Sequence, residues 1–149
     1  MKKFSFPLDT VLNYKDQVLD SLKNEHAQVL EKIAGQEKRI ASLTEQRRAA
    51  CLRFQEDTRG GISIGAMRGY EDYITLMQHK ILAEQAVLQR LKQKEEQKRA
   101  QVVEARKETV SIEKLKEKKL EQYNKEVARS EELFIEEFVS NTMSVHNNR

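Results

Sequence analysis

The sequence predicts an all-α protein, a long antiparallel two-helix coiled-coil hairpin with unequal arms. Three observations support this fold class: a charged composition rich in helix formers, an apolar repeat along most of the chain, and one glycine cluster that interrupts it. We expect a single domain, with arm one at about 7–57, a turn at about 58–66, arm two at about 67–140 and a frayed tail at 141–149.

The composition favours long helices over a conventional globular core. Charged residues make up 34% of the 149 residues, aromatic residues 6%, and there is no tryptophan. The net charge of +3 is small, which argues against a general nucleic-acid binder. The single cysteine, Cys51, excludes an internal disulfide framework and fits a reducing compartment.

Nothing in the sequence resembles a membrane-crossing or secretory segment. No apolar run approaches the roughly 20 residues that cross a bilayer. The two N-terminal lysines are not followed by a continuous apolar stretch, as a signal peptide would require. We therefore expect a soluble cytoplasmic protein without direct membrane insertion.

Arm one carries apolar residues spaced alternately four and three apart, the spacing of a coiled-coil seam. Ten of the fourteen positions are apolar. They are Leu8, Leu12, Lys15, Leu19, Leu22, His26, Val29, Ile33, Gln36, Ile40, Leu43, Arg47, Ala50 and Phe54. The polar members weaken the seam and can fix its register.

The repeat breaks at "TRGGISIGAMRGY" (58–70), which holds four of the five glycines. Glycine accepts positive φ and costs about 1 kcal/mol inside a helix, so the cluster predicts a turn. A short turn between two apolar stripes implies that they fold back on each other. With a bend near residue 62, facing residue numbers add up to about 124, which places Leu43 opposite Ile81 and His26 opposite Lys98.

Arm two repeats the seam and then shifts it. The positions are Met67, Tyr70, Ile74, Met77, Ile81, Glu84, Leu88, Leu91, Glu95, Lys98, Val102, Ala105, Thr109 and Ile112. Beyond Ile112 the spacing fits only with four inserted residues, and it resumes from Leu120 to Phe134. Such a stutter locally unwinds a supercoil, and a seam could end or change partner there.

Catalytic chemistry is not predicted. His26, His79 and His146 lie far apart, and no Cys or His pair has metal-ligand spacing, so we expect no metal site and no cofactor. "GGISIG" follows no strand and precedes no Lys-Ser/Thr pair, which excludes a phosphate-binding loop. A two-helix rod offers no cleft that would shift carboxylate pKa values. We expect a protein that is not an enzyme.

A surface near the turn is a candidate partner site, which we call the bend face. Tyr73 flanks the seam instead of lying within it. On the side of the hairpin where Tyr73 lies, one line of residues runs along each arm, and the two lines are neighbours in the predicted register. Its members are Arg39, Leu43, Gln46, Ala50, Tyr73, Met77, Lys80 and Glu84. Tyr and Met suit adaptable interfaces, but simple packing of Tyr73 over the seam explains the pattern equally well.

The C-terminal part of arm two is a second candidate. Six glutamates between 121 and 137 outnumber the two basic residues there, Lys125 and Arg129. Phe134 lies in the last part of this stretch, and Phe138 comes directly after it. An acidic stripe with exposed aromatic residues favours protein docking. The more basic stretch 90–119 has interleaved acids, typical of a solvated face rather than a phosphate-binding one.

The opening "KKFSFPLDTVLNYKDQ" (2–17) resembles the start of the flagellar FliJ family, in which a basic residue precedes F-x-F-x-L-x-x-V-L. The matching residues are Phe4, Phe6, Leu8, Val11 and Leu12. The stretch after the turn, "GGISIGAMRGYEDYI", is similar to the family's Gly-Ile followed by Tyr-x-x-aromatic-Ile. The matching residues there are Gly61, Ile62, Tyr70, Tyr73 and Ile74.

The resemblance implies a coiled-coil component of the bacterial flagellar export apparatus, similar to the central stalk of rotary ATPases. It implies three partners: the hexameric export ATPase, whose assembly and activity it promotes, the membrane export gate, and the export chaperones that it escorts. It also implies a location at the cytoplasmic face of the membrane at the flagellar base. The bend face would then dock on the gate.

The ATPase would contact what we call the open end. Its residues are Phe4, Phe6, Leu8, Tyr123, Phe134 and Phe138. The alternative is that Phe4 and Phe6 merely pack onto arm two as a hydrophobic staple, and the two roles can coexist. Two other functions stay open on sequence alone: a stalk subunit of a rotary ATPase, and a coiled-coil stress protein at a membrane surface.

Overall fold

The structure, a computed structural model, describes residues 2–148 and contains two α-helices over that range. Helix α1 spans Asp9–Arg59 with 51 residues, and helix α2 spans Ile64–Asn147 with 84 residues. The residues described include no β-strand. The prediction of an all-α, antiparallel two-helix hairpin with unequal arms is confirmed.

The turn between the helices is short because each helix end is closed by its own sequence. Gly61 has a φ of +85°, a left-handed conformation that ends α1 at little cost only for glycine. On the other side Ser63 is the N-cap of α2, since its Oγ accepts a hydrogen bond from the Ala66 N–H at 3.1 Å. The non-helical residues 60–63 lie inside the predicted turn of 58–66.

Helix α2 continues to Asn147, through the range 141–147 where we expected a frayed tail. The apolar repeat is weak there, but no glycine or proline follows Gly69 in the chain. No residue of this segment therefore interrupts the helix that precedes it. The helix is retained without a packing partner from α1.

Burial follows the predicted seam closely. Every seam position from Leu12 to Phe54 on α1, and from Met67 to Ile112 on α2, is buried or half-buried. Beyond Ile112 the half-buried residues are Lys116, Tyr123 and Val127, so the predicted seam is followed only in part after its four-residue shift. The predicted seam positions Leu8, Leu120, Ser130 and Phe134 are exposed, because they lie where little or none of α1 faces α2. One face of each helix thus forms the core.

The packing divides the chain into two compact units. The bend unit is Asp20–Val103 and contains the turn. The terminal unit combines the residues up to Leu19 with those from Glu104 onward. Each unit pairs a part of α1 with a part of α2.

Contacts in the bend unit agree with the predicted register. The Phe54 and Tyr70 ring centroids lie 5.4 Å apart next to the turn. Further along, Arg39 forms an ion pair with Glu84 at 3.3 Å. The paired residue numbers add up to about 124, and between these two contacts Ile81 is buried and Leu43 is half-buried.

At one predicted pair of facing positions the two side chains bind other partners. We placed His26 opposite Lys98, whereas His26 Nε2 lies 3.0 Å from a Glu95 carboxylate oxygen. Lys98 instead donates to Glu25 at 2.8 Å. The Glu95 and Lys98 side chains are long enough to reach a neighbouring position on the facing helix, so each contacts a residue other than the one directly opposite. The backbone register is unaffected.

The terminal unit shows the same antiparallel pairing. Lys15 contacts Glu108 at 2.8 Å, and Lys116 contacts Asp9 at 2.8 Å. Thr109 is a buried polar seam residue. Its hydroxyl donates to the Ala105 carbonyl at 2.9 Å, which satisfies it inside the core.

Candidate docking surfaces

The bend face separates into buried and exposed members. Ala50 and Met77 are buried in the core, so they are not available to a partner. Tyr73 is 41% exposed, and Gln46 and Lys80 are exposed as well. Only the exposed members can contact a partner directly.

Three bend-face residues, Gln46, Ala50 and Tyr73, line one open groove beside the turn. The groove has a volume of about 580 Å³. Its remaining lining residues are Ala49, Arg53, Ala66, Gly69 and Tyr70. Small residues from both helices share the lining with the two tyrosines, and Arg53 supplies a positive charge there.

Other bend-face residues form a separate polar cluster around Glu84. The half-buried Glu84 carboxylate forms an ion pair with Arg39 and accepts a hydrogen bond from the Gln36 side chain. Gln36 also donates to the Glu84 backbone carbonyl at 2.9 Å. We placed Gln36 in the seam and not on the face, although a polar residue at a seam position was a signal that it needs a partner.

Tyr70 and Tyr73 differ in role although both line the groove. The Tyr70 ring packs against Phe54, and its hydroxyl donates to the Asp57 carboxylate. That hydrogen bond raises the pKa of the Tyr70 hydroxyl above its ordinary value of 10.0, with smaller contributions from burial and from the Asp57 charge. Tyr70 therefore joins the helices at the turn.

Four of the predicted open-end residues form one group, which we call the N-terminal cluster: Phe4, Phe6, Leu8 and Tyr123. They line the same hollow between the start of the chain and α2. The Phe4 and Tyr123 ring centroids lie 5.5 Å apart, and the Tyr123 hydroxyl donates to the Lys2 carbonyl at 2.7 Å. Phe6 is 5% exposed, so this cluster is mostly intramolecular.

Local sequence places the N-terminal cluster. Pro7 and Leu8 form a turn, and the Asp9 N–H donates to the Phe6 carbonyl at 3.1 Å. The fixed φ of Pro7 suits this entry into a helix. Asp9 then begins α1, where its negative charge is favourable at the helix N-terminus. The turn directs Phe6 into the core.

The other two open-end residues lie apart from the N-terminal cluster. Phe134 is 70% exposed and Phe138 is 67% exposed. Phe134 follows Tyr123 by eleven residues, about 16 Å along a helix. With Val127 and Val145 the two phenylalanines lie within about 20° of a common line on α2. We call these four residues the C-terminal stripe.

Val145 lies in the segment we expected to be frayed, so sequence reasoning missed its place in the stripe. The signal was its spacing, because Val145 follows Phe138 by seven residues, two turns along the same face. No cluster of three or more His, Cys, Asp or Glu residues that could hold a metal ion occurs within residues 2–148.

A scan against protein families matches residues 4–148 to the family described as Flagellar FliJ protein. The chain belongs to the FliJ family. As a FliJ-family member it is a non-enzymatic component of the flagellar export apparatus, involved in flagellar biogenesis and protein export at the flagellar base. The curated proteins and the solved structures gave no significant match.

Neither helix of the FliJ-family chain offers a segment that could cross a bilayer, over the residues that the structure describes.

Proposed function

We propose that the chain connects the export ATPase to the export gate, with a different exposed surface for each partner. The observation that carries this proposal is the exposure of the C-terminal stripe on α2. In the observed register α1 begins opposite Lys116, and the described residues before α1 reach Tyr123. Phe134 and Phe138 lie beyond that point and are large apolar residues left mostly exposed by the residues that the structure describes, as expected of a docking site.

The stripe is our proposed contact for the hexameric ATPase. A single helix that enters a symmetric ring makes an unequal contact with its subunits. Such a contact favours one subunit conformation if its affinity for two states differs by about 1–3 kcal/mol. This bias would promote assembly and ATP hydrolysis without any catalytic group on the chain.

The groove of the bend face is our proposed contact for the membrane export gate. Tyr73 provides an exposed aromatic ring, and the small residues that line the same groove allow close approach of a partner. Binding there would hold the protein peripherally at the cytoplasmic face of the membrane. Escort of export chaperones is part of the same proposal and is supported by family membership alone.

Truncation after Glu126 tests the ATPase contact. It removes Phe134, Phe138 and Val145 but retains Tyr123, which holds the N-terminal cluster. A truncation after Ile112 would be less specific, because it also removes Lys116, which pairs with Asp9 of α1, and Tyr123, which contacts Phe4 before α1. We expect the shorter chain to lose stimulation of the ATPase and to retain gate binding.

A matched control is Leu82→Glu, which places a charge at an exposed apolar position on the bend unit. This variant should stimulate hydrolysis normally. Full stimulation by the chain truncated after Glu126 would show that the stripe is a solvated end and would reject the ATPase contact.

A further inference from the structure

The C-terminal stripe is part of a complete heptad face. Its four residues and two polar ones are spaced alternately four and three apart, as in a coiled-coil seam. The six are Val127, Glu131, Phe134, Phe138, Asn141 and Val145. Five of the six residues are exposed, so most of this face lies outside the α1–α2 core. Val127 is half-buried and is the one residue that the face shares with the half-buried seam positions beyond Ile112.

Two surface hollows on this face are lined by residues with the spacing of a coiled-coil hole. Val127, Ser130, Glu131 and Phe134 line the first, beside Ile135. Phe138, Asn141, Thr142 and Val145 line the second, beside His146. Each set has the spacing i, i+3, i+4 and i+7, the four residues that form a hole for a partner side chain in a coiled coil.

The heptad face is also symmetric about Glu136. Val127 and Val145, Glu131 and Asn141, and Phe134 and Phe138 form pairs whose residue numbers each add up to 272. A two-fold axis at this level would bring each residue opposite its pair-mate in a second copy. Because a two-fold interface must be self-complementary, we infer that the heptad face forms an antiparallel dimer with a second copy of this chain.

Charge distinguishes the antiparallel from the parallel arrangement. A parallel dimer would place Glu131 against Glu131 in the seam, where two carboxylates repel. In the antiparallel dimer Glu131 lies opposite Asn141, whose amide can donate a hydrogen bond to the carboxylate. A polar pair of this kind fixes the register of a coiled coil.

The rim of the antiparallel dimer is asymmetric in character. On one side Ile135 meets Ile135 of the second copy, which adds apolar contact. On the other side Glu137 lies near Glu137 of the second copy, and this repulsion is screened by salt. The dimer should therefore tighten as the salt concentration rises.

The dimer interface is small. Four phenylalanines, each with roughly 150–250 Å² of surface to bury, and four valines bring the interface to about 1,000 Å², near the lower limit of specific interfaces. The inference does not rest on the proposed function. The dimer nevertheless covers the stripe assigned to the ATPase, so the two contacts exclude each other.

Sedimentation of the purified full-length chain, from about 1 µM to about 1 mM, tests the dimer. We expect a concentration-dependent dimer, and Phe134→Glu should weaken it about 30-fold or more, as loss of a central aromatic contact does. Phe134 is 70% exposed, so its replacement should leave helicity unchanged by circular dichroism. Leu82→Glu, at 55% exposure in the bend unit, is the matched control.

A monomer at every concentration, or equal dissociation constants for the wild type and Phe134→Glu, would overturn the dimer. So would an equal loss in Leu82→Glu. Because only the purified chain is present, failure here leaves the ATPase contact to its own test.

Disulfide cross-linking tests the orientation in a Cys51→Ser background. A Val127→Cys chain mixed with a Val145→Cys chain should form a disulfide between the two variants, since these positions face each other in the antiparallel dimer. Val127→Cys alone should not cross-link, because its two copies would be about 27 Å apart. Efficient cross-linking of Val127→Cys to itself would overturn the antiparallel arrangement.

Discussion

The N-terminal cluster and the C-terminal stripe contain the same kinds of residue and have opposite environments. Phe6 is 5% exposed, whereas Phe134 is 70% exposed. The N-terminal cluster lies where the first residues of the chain still pair with α2, and the stripe lies beyond them on α2. The comparison shows that the availability of a facing segment, and not the residue type, decides whether an aromatic side chain stabilises this fold or is left for a partner.

The largest expected effect is a loss of folding stability when the N-terminal cluster is disrupted. Phe6→Ala should lower the free energy of unfolding by about 3 kcal/mol, because a buried aromatic ring is lost from the core. Urea unfolding followed by circular dichroism measures it. Phe138→Ala is the control on the stripe and should change this free energy by less than about 0.5 kcal/mol. Equal losses in the two variants would remove the distinction between the two regions.

The converse experiment addresses binding. Phe134→Ala should weaken association with the export ATPase about 30-fold, which corresponds to about 2 kcal/mol for a central apolar anchor. Half-maximal stimulation of hydrolysis would then require a correspondingly higher concentration of the variant. Phe4→Ala should weaken ATPase association less, since its ring is engaged with Tyr123. A stronger effect of Phe4→Ala would move the ATPase contact to the N-terminal cluster.

The two tyrosines of the groove extend the comparison to the bend unit. Tyr73→Ala should weaken binding to the export gate about 10-fold, since an exposed ring at an interface contributes more than about 1 kcal/mol. Its melting temperature should not change. Tyr70→Ala should lower the melting temperature, because its ring packs on Phe54. If Tyr73→Ala loses as much thermal stability as Tyr70→Ala, Tyr73 belongs to the packing of the turn.

The smallest expected effect is a loss of stability at alkaline pH. The hydrogen bond to Asp57 raises the pKa of Tyr70, so the folded chain holds this proton more tightly than the unfolded chain. The contribution of this group is complete below pH 10.0 and disappears as the pH rises through the higher folded pKa. The melting-temperature difference between wild type and Tyr70→Phe should shrink above about pH 10. A constant difference up to pH 11 would contradict it.

The sequence was sufficient to predict the hairpin, its bend and its register. These features follow from the spacing of apolar residues and the position of the glycines, through the geometry of the helical backbone alone. It could not assign His26 to Glu95, since a long side chain reaches residues one turn away on the facing helix. It also grouped Phe4 with Phe134 by residue type. Separating them required knowing where the N-terminal segment docks, which depends on the turn at Pro7 and on the position of Tyr123.

The short turn at Gly61 has a consequence for the order in which the chain folds. Contacts grow steadily less local away from it: Tyr70 and Asp57 are 13 residues apart, Gln36 and Glu84 48, and Lys2 and Tyr123 121. Loop-closure entropy favours the shortest loop first. Pairing of the two helices therefore begins at the turn and proceeds outward. During synthesis Phe4 can pack against Tyr123 only after Tyr123 has left the ribosome.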